Sequence, residues 1–149
     1  MLSKSAEYAL RATIYIALKG SADHKLGIEE IASAIDSPPS FTAKVLQQLT
    51  KNNGVISSVR GPNGGFYLTD AARRLPVRAV LEAVGEDGII TKCVLGLKEC
   101  SESRPCPMHE QYRSIKVQLR QMFEKTTIEQ LAADFDKGKL TIGNRPPKK

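Results

Sequence analysis

Hydrophobic positions in this chain fall mostly at helical spacing, broken once by a short alternating stretch. Ser3 to Lys19 is apolar around almost its whole circumference, with Ala6, Leu10, Ile14 and Ala17 on one face and Tyr8, Ala12, Tyr15 and Ile16 on others. A helix apolar on most sides is buried or shared with a second subunit, and Gly20 ends it. From Gly27 to Ile35, Ile28, Ile31, Ala32 and Ile35 keep the i, i+3, i+4, i+7 rhythm of a one-faced helix. Ser37-Pro38 then reads as an N-cap followed by proline at the first helical position. The helix it opens turns Phe41, Val45 and Leu49 inward with Leu46 flanking them, and runs to the stop at Asn53-Gly54. Two short helices joined by a tight turn, the second polar outside, form a helix-turn-helix pattern. Ala32 is small where the two helices would cross.

Val55 to Val59 is a β-branched and serine run, Arg60 to Gly65 a turn, and Phe66-Tyr67-Leu68 a second short strand. Gly and Asn supply the positive φ of a hairpin tip, so the hairpin reads as a wing. It is not a nucleotide-binding P-loop, because it lacks the Gly-Lys-Ser/Thr ending and opens no helix. Pro76 to Val84 is another one-sided helix, with Val77, Val80, Leu81 and Val84 inward and Gly85 as C-cap. Glu86 to Pro105 has no periodicity and reads as a loop. Pro107 opens a long helix to about Glu124, where Tyr112, Ile115, Leu119 and Met122 step by three, four and three, the seam of a short coiled coil. Its polar remainder and length of about 27 Å suit a dimer arm better than an intrachain core helix. Thr126-Thr127-Ile128-Glu129 reads as a capping box, starting a last helix with Ile128, Leu131, Ala132 and Phe135 on one face. The expected fold is mainly α with a small β-wing: a winged helix-turn-helix DNA-binding domain over 1–85, a ligand-bearing loop over 86–106, a dimerisation helix and C-terminal helix over 107–137, and a mobile tail over 138–149.

Charge narrows the partner. The chain has 149 residues and a net charge of +6, which favours a polyanion. Its distribution says more: between Ser37 and Thr69 stand Lys44, Lys51 and Arg60 and no acid, and the stretch to Arg78 adds Arg73, Arg74 and Arg78 against Asp70 alone. On the second helix of the helix-turn-helix, Ser40, Ala43, Lys44 and Gln47 face away from the apolar side and are expected in the major groove. Gln47 suits adenine, Lys44 guanine or phosphate, Ser40 a phosphate or base edge, and Ala43 a thymine methyl. Arg60, Pro62 and Asn63 are expected to reach the minor groove or its phosphates, whereas Lys51 is as readily a solvated surface lysine. A dimer would read double-stranded DNA as an inverted repeat. No Ser/His/Asp set, catalytic carboxylate pair or cofactor fingerprint marks an enzyme. No stretch reaches the ~20 apolar residues of a membrane span, and Arg11 interrupts the N-terminal apolar run where a secretory signal would not allow it. The expected setting is a reducing cytoplasm, where thiols serve as ligands rather than disulfides.

All three cysteines, Cys93, Cys100 and Cys106, fall within fourteen residues, and His109 follows three positions after the last. Such a set suits an iron-sulfur cluster or zinc, although gaps of six and five residues are looser than the ligand pairs of structural zinc. Cys106, just before Pro107, is expected at an N-cap, where the positive end of the long helix would lower its pKa. His109 in the same helix can point to the same site, while His24, between Asp23 and Lys25, reads as solvated. An iron-sulfur electron carrier could use the same ligands but has no need of the acid-free stretch.

The runs Tyr8-Ala9-Leu10-Arg11, Ser57-Ser58-Val59-Arg60-Gly61-Pro62-Asn63-Gly64-Gly65-Phe66 and Cys106-Pro107-Met108-His109 resemble the Rrf-two family of bacterial regulators, with its IscR-like iron-sulfur and NsrR-like nitric-oxide-sensing members. The resemblance spans Met1 to Leu131. It implies a homodimeric winged-helix repressor or activator with a cluster held between the long dimer helix and the DNA-binding unit, answering to redox state, nitric oxide or iron-sulfur status. A 2Fe-2S cluster is favoured over 4Fe-4S, with zinc as the alternative. IscR-like members imply His109 as fourth ligand, whereas NsrR-like members imply the partner subunit's Glu7. The family's pattern has five residues in each gap between cysteines, whereas six separate Cys93 from Cys100 here. One more loop residue adds little to the closure cost, but it leaves the cluster type open.

Overall fold

The computed structural model describes residues 2–51, 54–136 and 142–143. Among these the chain is mainly helical with one antiparallel hairpin. In order they form α1 (Lys4–Lys19), α2 (Ile28–Ile35), α3 (Pro39–Lys51), β1 (Ser57–Val59), β2 (Gly65–Tyr67), α4 (Asp70–Arg73), α5 (Arg78–Ala83), α6 (Gly88–Thr91), α7 (His109–Lys125) and α8 (Ile128–Asp136).

The hub is α1, which packs against α2, α3, α5 and α8 at once. Its buried face is Ala6, Ala9, Ala12, Thr13, Ile16 and Ala17, not the face expected from Leu10 and Ile14, which are only half-buried. Neighbours on several sides can close in only where side chains are small, so alanines rather than the larger aliphatics mark the packed side. Thr13 is accommodated because its hydroxyl donates to the Ala9 carbonyl at 2.8 Å, leaving no unpaired donor inside.

Asp36 closes α2 in the left-handed conformation (φ 55°, ψ 51°), which Asp tolerates better than most residues. Thr42 N–H donates to the Pro38 carbonyl at 2.9 Å, so Pro39, not Pro38, occupies the first helical position of α3. Ser37 is therefore not its cap. It is buried and accepts from the Thr42 hydroxyl at 2.8 Å. Thr42, Val45, Leu46 and Leu49 form the inner face of α3, and Phe41 sits at its edge, ring-to-edge on Tyr8 at 5.3 Å. Arg11 donates to the Ile35 carbonyl at 3.2 Å and lies over Tyr8, tying α1 to the end of α2. Asn53 of the expected helix stop lies outside the described residues.

The wing pairs Ser57 with Tyr67, Ser58 with Phe66 and Val59 with Gly65. Val55 and Ile56 are buried beneath it instead of extending it. A third segment completes the hairpin: Leu26 and Phe66 exchange both backbone hydrogen bonds at 2.9 and 2.8 Å. Gly65 (φ 146°) is required there, since a Cβ would stand 2.7 Å from the Leu26 carbonyl oxygen. After the wing, Thr69 caps α4 by accepting from Ala72 N–H at 3.1 Å. Arg73 donates to the carbonyls of Ala17 and, at 2.7 Å, Gly20, satisfying the end of α1.

Gly85 ends the α5 region at φ 69°, with Glu86 N–H donating back to Leu81 at 2.8 Å, as expected. The following stretch is not wholly a loop. α6 inserts Ile90, fully buried, into a satellite cluster with Ala6, Val77, Leu81 and Phe123, and a single turn of helix is too short to register as a period. α7 begins at His109, two residues later than expected, because His109 N–H donates to the Cys106 carbonyl at 3.0 Å and Pro107-Met108 form a turn. Its anticipated seam is divided. Tyr112 and Leu119 lean on the chain's own body together with the buried Phe123, while Ile115 (51% exposed) and Met122 (54%) face outward. The box that starts α8 is Thr127 with Gln130, which exchange bonds at 2.8 and 3.2 Å, one residue later than expected. Thr126 is already used as the cap of α7, and its carbonyl accepts from Val77 N–H at 2.9 Å. The Phe135 side chain lies outside the described residues. Of the expected tail only Ile142 and Gly143 are described, and Ile142 packs against the core.

Candidate functional site

Two surfaces carry the chemistry anticipated from the sequence. On the first, the buried face of α3 leaves Ser40, Lys44 and Gln47 exposed on the opposite side, with Ala43 half-buried between them. Arg60, Pro62 and Asn63 are exposed at the wing tip, and Lys51 at the end of α3. The structure thus presents the expected recognition residues to solvent, on a helix and a hairpin fixed through Leu26. It also removes cations from the expected set: Arg73 is spent on α1, and Arg78 is paired with Glu82 at 3.0 Å and with Glu124.

The second surface gathers three cysteines that are up to thirteen positions apart, with a histidine beside them. The sulfur atoms of Cys93, Cys100 and Cys106 all lie within 4.8 Å of one another, and all three thiols are free. α6 delivers Cys93. Its carbonyl ends are captured by α7, since Tyr112 donates to Ile89 at 2.8 Å and Arg120 to Ile90 at 3.2 Å. The turn before α7 delivers Cys106, which is buried. Cys100 is drawn in by Cys106 N–H, which donates to its sulfur at 3.4 Å. His109, the first residue of α7, places Nδ1 3.4 Å from the Cys100 sulfur, and its buried Nε2 has no hydrogen-bond partner among the described residues. Glu7 pairs with Lys4 at 3.4 Å and is not part of the gathered set. Beside the thiols opens a cleft of about 390 Å³, walled on the α7 side by Tyr112, Arg113, Lys116 and Arg120.

The electrostatics divide the thiols. Burial works to raise the Cys93 pKa, but the Leu97 and Leu95 backbone and the neighbouring Cys106 and Cys100 thiols outweigh it, bringing the pKa down to about 7. Cys106 moves the other way. Burial pushes it up, and the Cys93 and Cys100 thiols add to the rise despite one bond from the Met108 backbone. The expected lowering of Cys106 by the helix end is therefore not found. Met108, not Cys106, caps α7, and its single backbone bond to the Cys106 sulfur does not offset the effect of burial.

Free, convergent thiols with an imidazole alongside are the donor set of an iron-sulfur or metal site, and the residues present fit such a group. Sequence reasoning had named all of these residues: the three cysteines come together and His109 lies beside Cys100. It missed Tyr112 and Arg120 as anchors of α6, because a tyrosine in an apolar seam and an arginine on a polar face carry no signal of a carbonyl partner.

Comparison with known proteins agrees with this architecture. A family model described as "Iron-dependent Transcriptional regulator" matches residues 2–134. A protein of Aquifex aeolicus bearing the description of an HTH-type transcriptional regulator is 35% identical over 133 residues, 88% of this chain and 90% of its own. The HTH-type transcriptional regulator IscR of Yersinia pestis is 29% identical over 135 residues, 91% of this chain and 80% of that one. Among solved structures, CymR of B. subtilis, titled the global cysteine regulator, superposes with a TM-score of 0.70 at 22% identity, covering 90% of this chain and 97% of that one. T. potens IscR does so at 0.69 and 16%, covering 95% and 92%. Among the described residues no helix is long and apolar enough to cross a membrane. With a winged helix exposed and three thiols gathered near the start of α7, the chain belongs to the Rrf2 family, whose members are DNA-binding transcriptional regulators and not enzymes.

Proposed function

We propose that this protein is a homodimeric regulator whose operator binding is set by an iron-sulfur cluster held by Cys93, Cys100, Cys106 and His109. One observation carries this reading: three free thiols within 4.8 Å of one another, with His109 Nδ1 3.4 Å from one of them. The family's description as iron-dependent supports iron over zinc. The 2Fe-2S form is favoured over 4Fe-4S, and when bound it would supply a redox- and nitric-oxide-responsive centre.

Ser40, Ala43, Lys44 and Gln47 would enter the major groove of double-stranded DNA, and Arg60, Pro62 and Asn63 would follow the neighbouring minor groove. The outer face of α7, with Ile115 and Met122, would meet its equivalent in a second copy, so that two recognition helices read an inverted repeat. Residues 94–105 are the responsive element. When Cys93, Cys100 and Cys106 are ligated together, these residues hold α6 against the start of α7. When they are not, their own contacts are exposed and weak. The loop joins the DNA-binding unit to the dimer helix, so its ordering changes the spacing of the two recognition helices.

The test is anaerobic purification with iron and sulfide counts, followed by binding to an inverted-repeat operator with and without the cluster. Brown protein with acid-labile sulfide and a changed operator affinity is expected. Colourless protein with stoichiometric zinc would overturn the cluster reading, and equal operator affinity in both forms would overturn the control.

A further inference from the structure

The three thiols are not equivalent in geometry. The Cys93 thiol donates to the Cys106 sulfur at 3.5 Å. Cys100 is otherwise engaged, accepting from Cys106 N–H and facing His109 Nδ1, each at 3.4 Å. The connecting residues 94–105 are exposed apart from Cys100. Their backbone bonds are local turns, such as Gly96 N–H to Cys93 at 2.9 Å and Arg104 N–H to Ser101 at 3.2 Å. Among the described residues no backbone bond from the helical body reaches residues 94–105, so little there resists a small movement of Cys93 toward Cys106. Small solutes can reach the pair, because Cys93 borders two open clefts, of about 440 and 390 Å³.

We propose that in the cluster-free protein a hydroperoxide converts Cys93 and Cys106 into an intrachain disulfide and leaves Cys100 a thiol. One sulfur of the pair attacks a peroxide oxygen. The O–O bond breaks, the departing oxygen takes the thiol's proton and leaves as an alcohol (water when the oxidant is hydrogen peroxide), and that sulfur becomes a sulfenic acid. The second thiol attacks it, the S–S bond forms, the S–O bond breaks, and the hydroxyl departs as water with the thiol's proton. Two thiols are oxidised and one hydroperoxide is reduced. The sulfurs must close from 3.5 Å to a bond of about 2.05 Å. The disulfide consumes two sulfurs that any cluster would need, so ligation and oxidation exclude each other. This goes beyond the cluster reading and stands without it, since the sulfur geometry is that of the chain alone.

The full-length chain, stripped of iron by a chelator without oxygen, is treated with one equivalent of hydrogen peroxide, quenched in acid and labelled with N-ethylmaleimide. Cleavage after Lys92, Lys98, Glu99, Glu102 and Glu110 places each cysteine on its own peptide, so non-reducing mass spectrometry reads the pairing directly. Peptide 93–98 is expected linked to peptide 103–110 in most chains, with the label on Cys100. C100S should keep the link and C93S should abolish that link. A link through Cys100, a covalent dimer, or three fully labelled thiols would each overturn the proposal.

Discussion

The winged unit and the cysteine segment are held together by different means. From α2 to β2 the chain buries Ile31, Ile35, Val45, Leu46, Leu49, Val55 and Ile56, side chains whose removal from water stabilises each by about 1.5–3 kcal/mol. From α6 to His109 only Ile90 and Cys106 are buried. The rest is joined by the Tyr112 and Arg120 bonds to α6 and by exposed ion pairs, Arg104 with Glu99 at 3.0 Å and Arg113 with Glu102 at 3.1 Å, and such pairs contribute little. The first region is held chiefly by apolar burial. The second is ordered to the extent that its sulfurs find something to bind, which is what a signal-responsive segment requires.

Substitutions should separate the two regions, most strongly at Leu46. Leu46→Ala should lower unfolding stability by about 2–5 kcal/mol in denaturant titration, whereas Leu97→Ala, exposed between cysteines, should stay within about 0.5 kcal/mol. Equal losses would erase the distinction. Gln47→Ala should weaken operator binding by about 1–3 kcal/mol at one base position, and Lys44→Ala should instead reduce the salt slope by about one. Competition binding at several salt concentrations reads both. Cys100→Ser should remove iron and sulfide while leaving the cluster-free melting temperature nearly unchanged, as scanning calorimetry without oxygen can check. The smallest effect is one of pH. With Cys93 lowered to about 7 and Cys106 raised, iodoacetamide should label Cys93 first at neutral pH. Labelling should slow as pH falls through about 7, where the thiolate takes up its proton. Equal rates at the two cysteines would remove the asymmetry.

The same difference explains what the sequence disclosed. Helix-turn-helix, wing and long helix were readable because Ile31 and Ile35, Val45 and Leu49, and the glycines of the wing tip obey local rules of period and turn. The thiols were readable because cysteine is chemically unmistakable. Features decided by several elements at once were not. The alanine face of α1 is selected by four neighbouring helices, and Leu26 joins the wing from forty residues away, opposite Phe66. Thr126 cannot cap α8 because it already ends α7. Pro39 replaced Pro38 at the start of α3 because two consecutive prolines leave the starting residue undecided until Thr42 finds its acceptor.

Thr126 and Ile128 fasten the far end of α7 by backbone bonds to Val77 and Leu75 at 2.9 and 3.1 Å. This makes the helix a lever with its fulcrum at that joint and its other end, which carries α6 through Tyr112 and Arg120, at His109. Over its seventeen residues, about 26 Å at ~1.5 Å per residue, a tilt of only about 5° would carry the His109 end by roughly 2 Å. A slight pivot at the joint is therefore magnified at the thiols, and a slight pull at the thiols arrives at α5 with mechanical advantage.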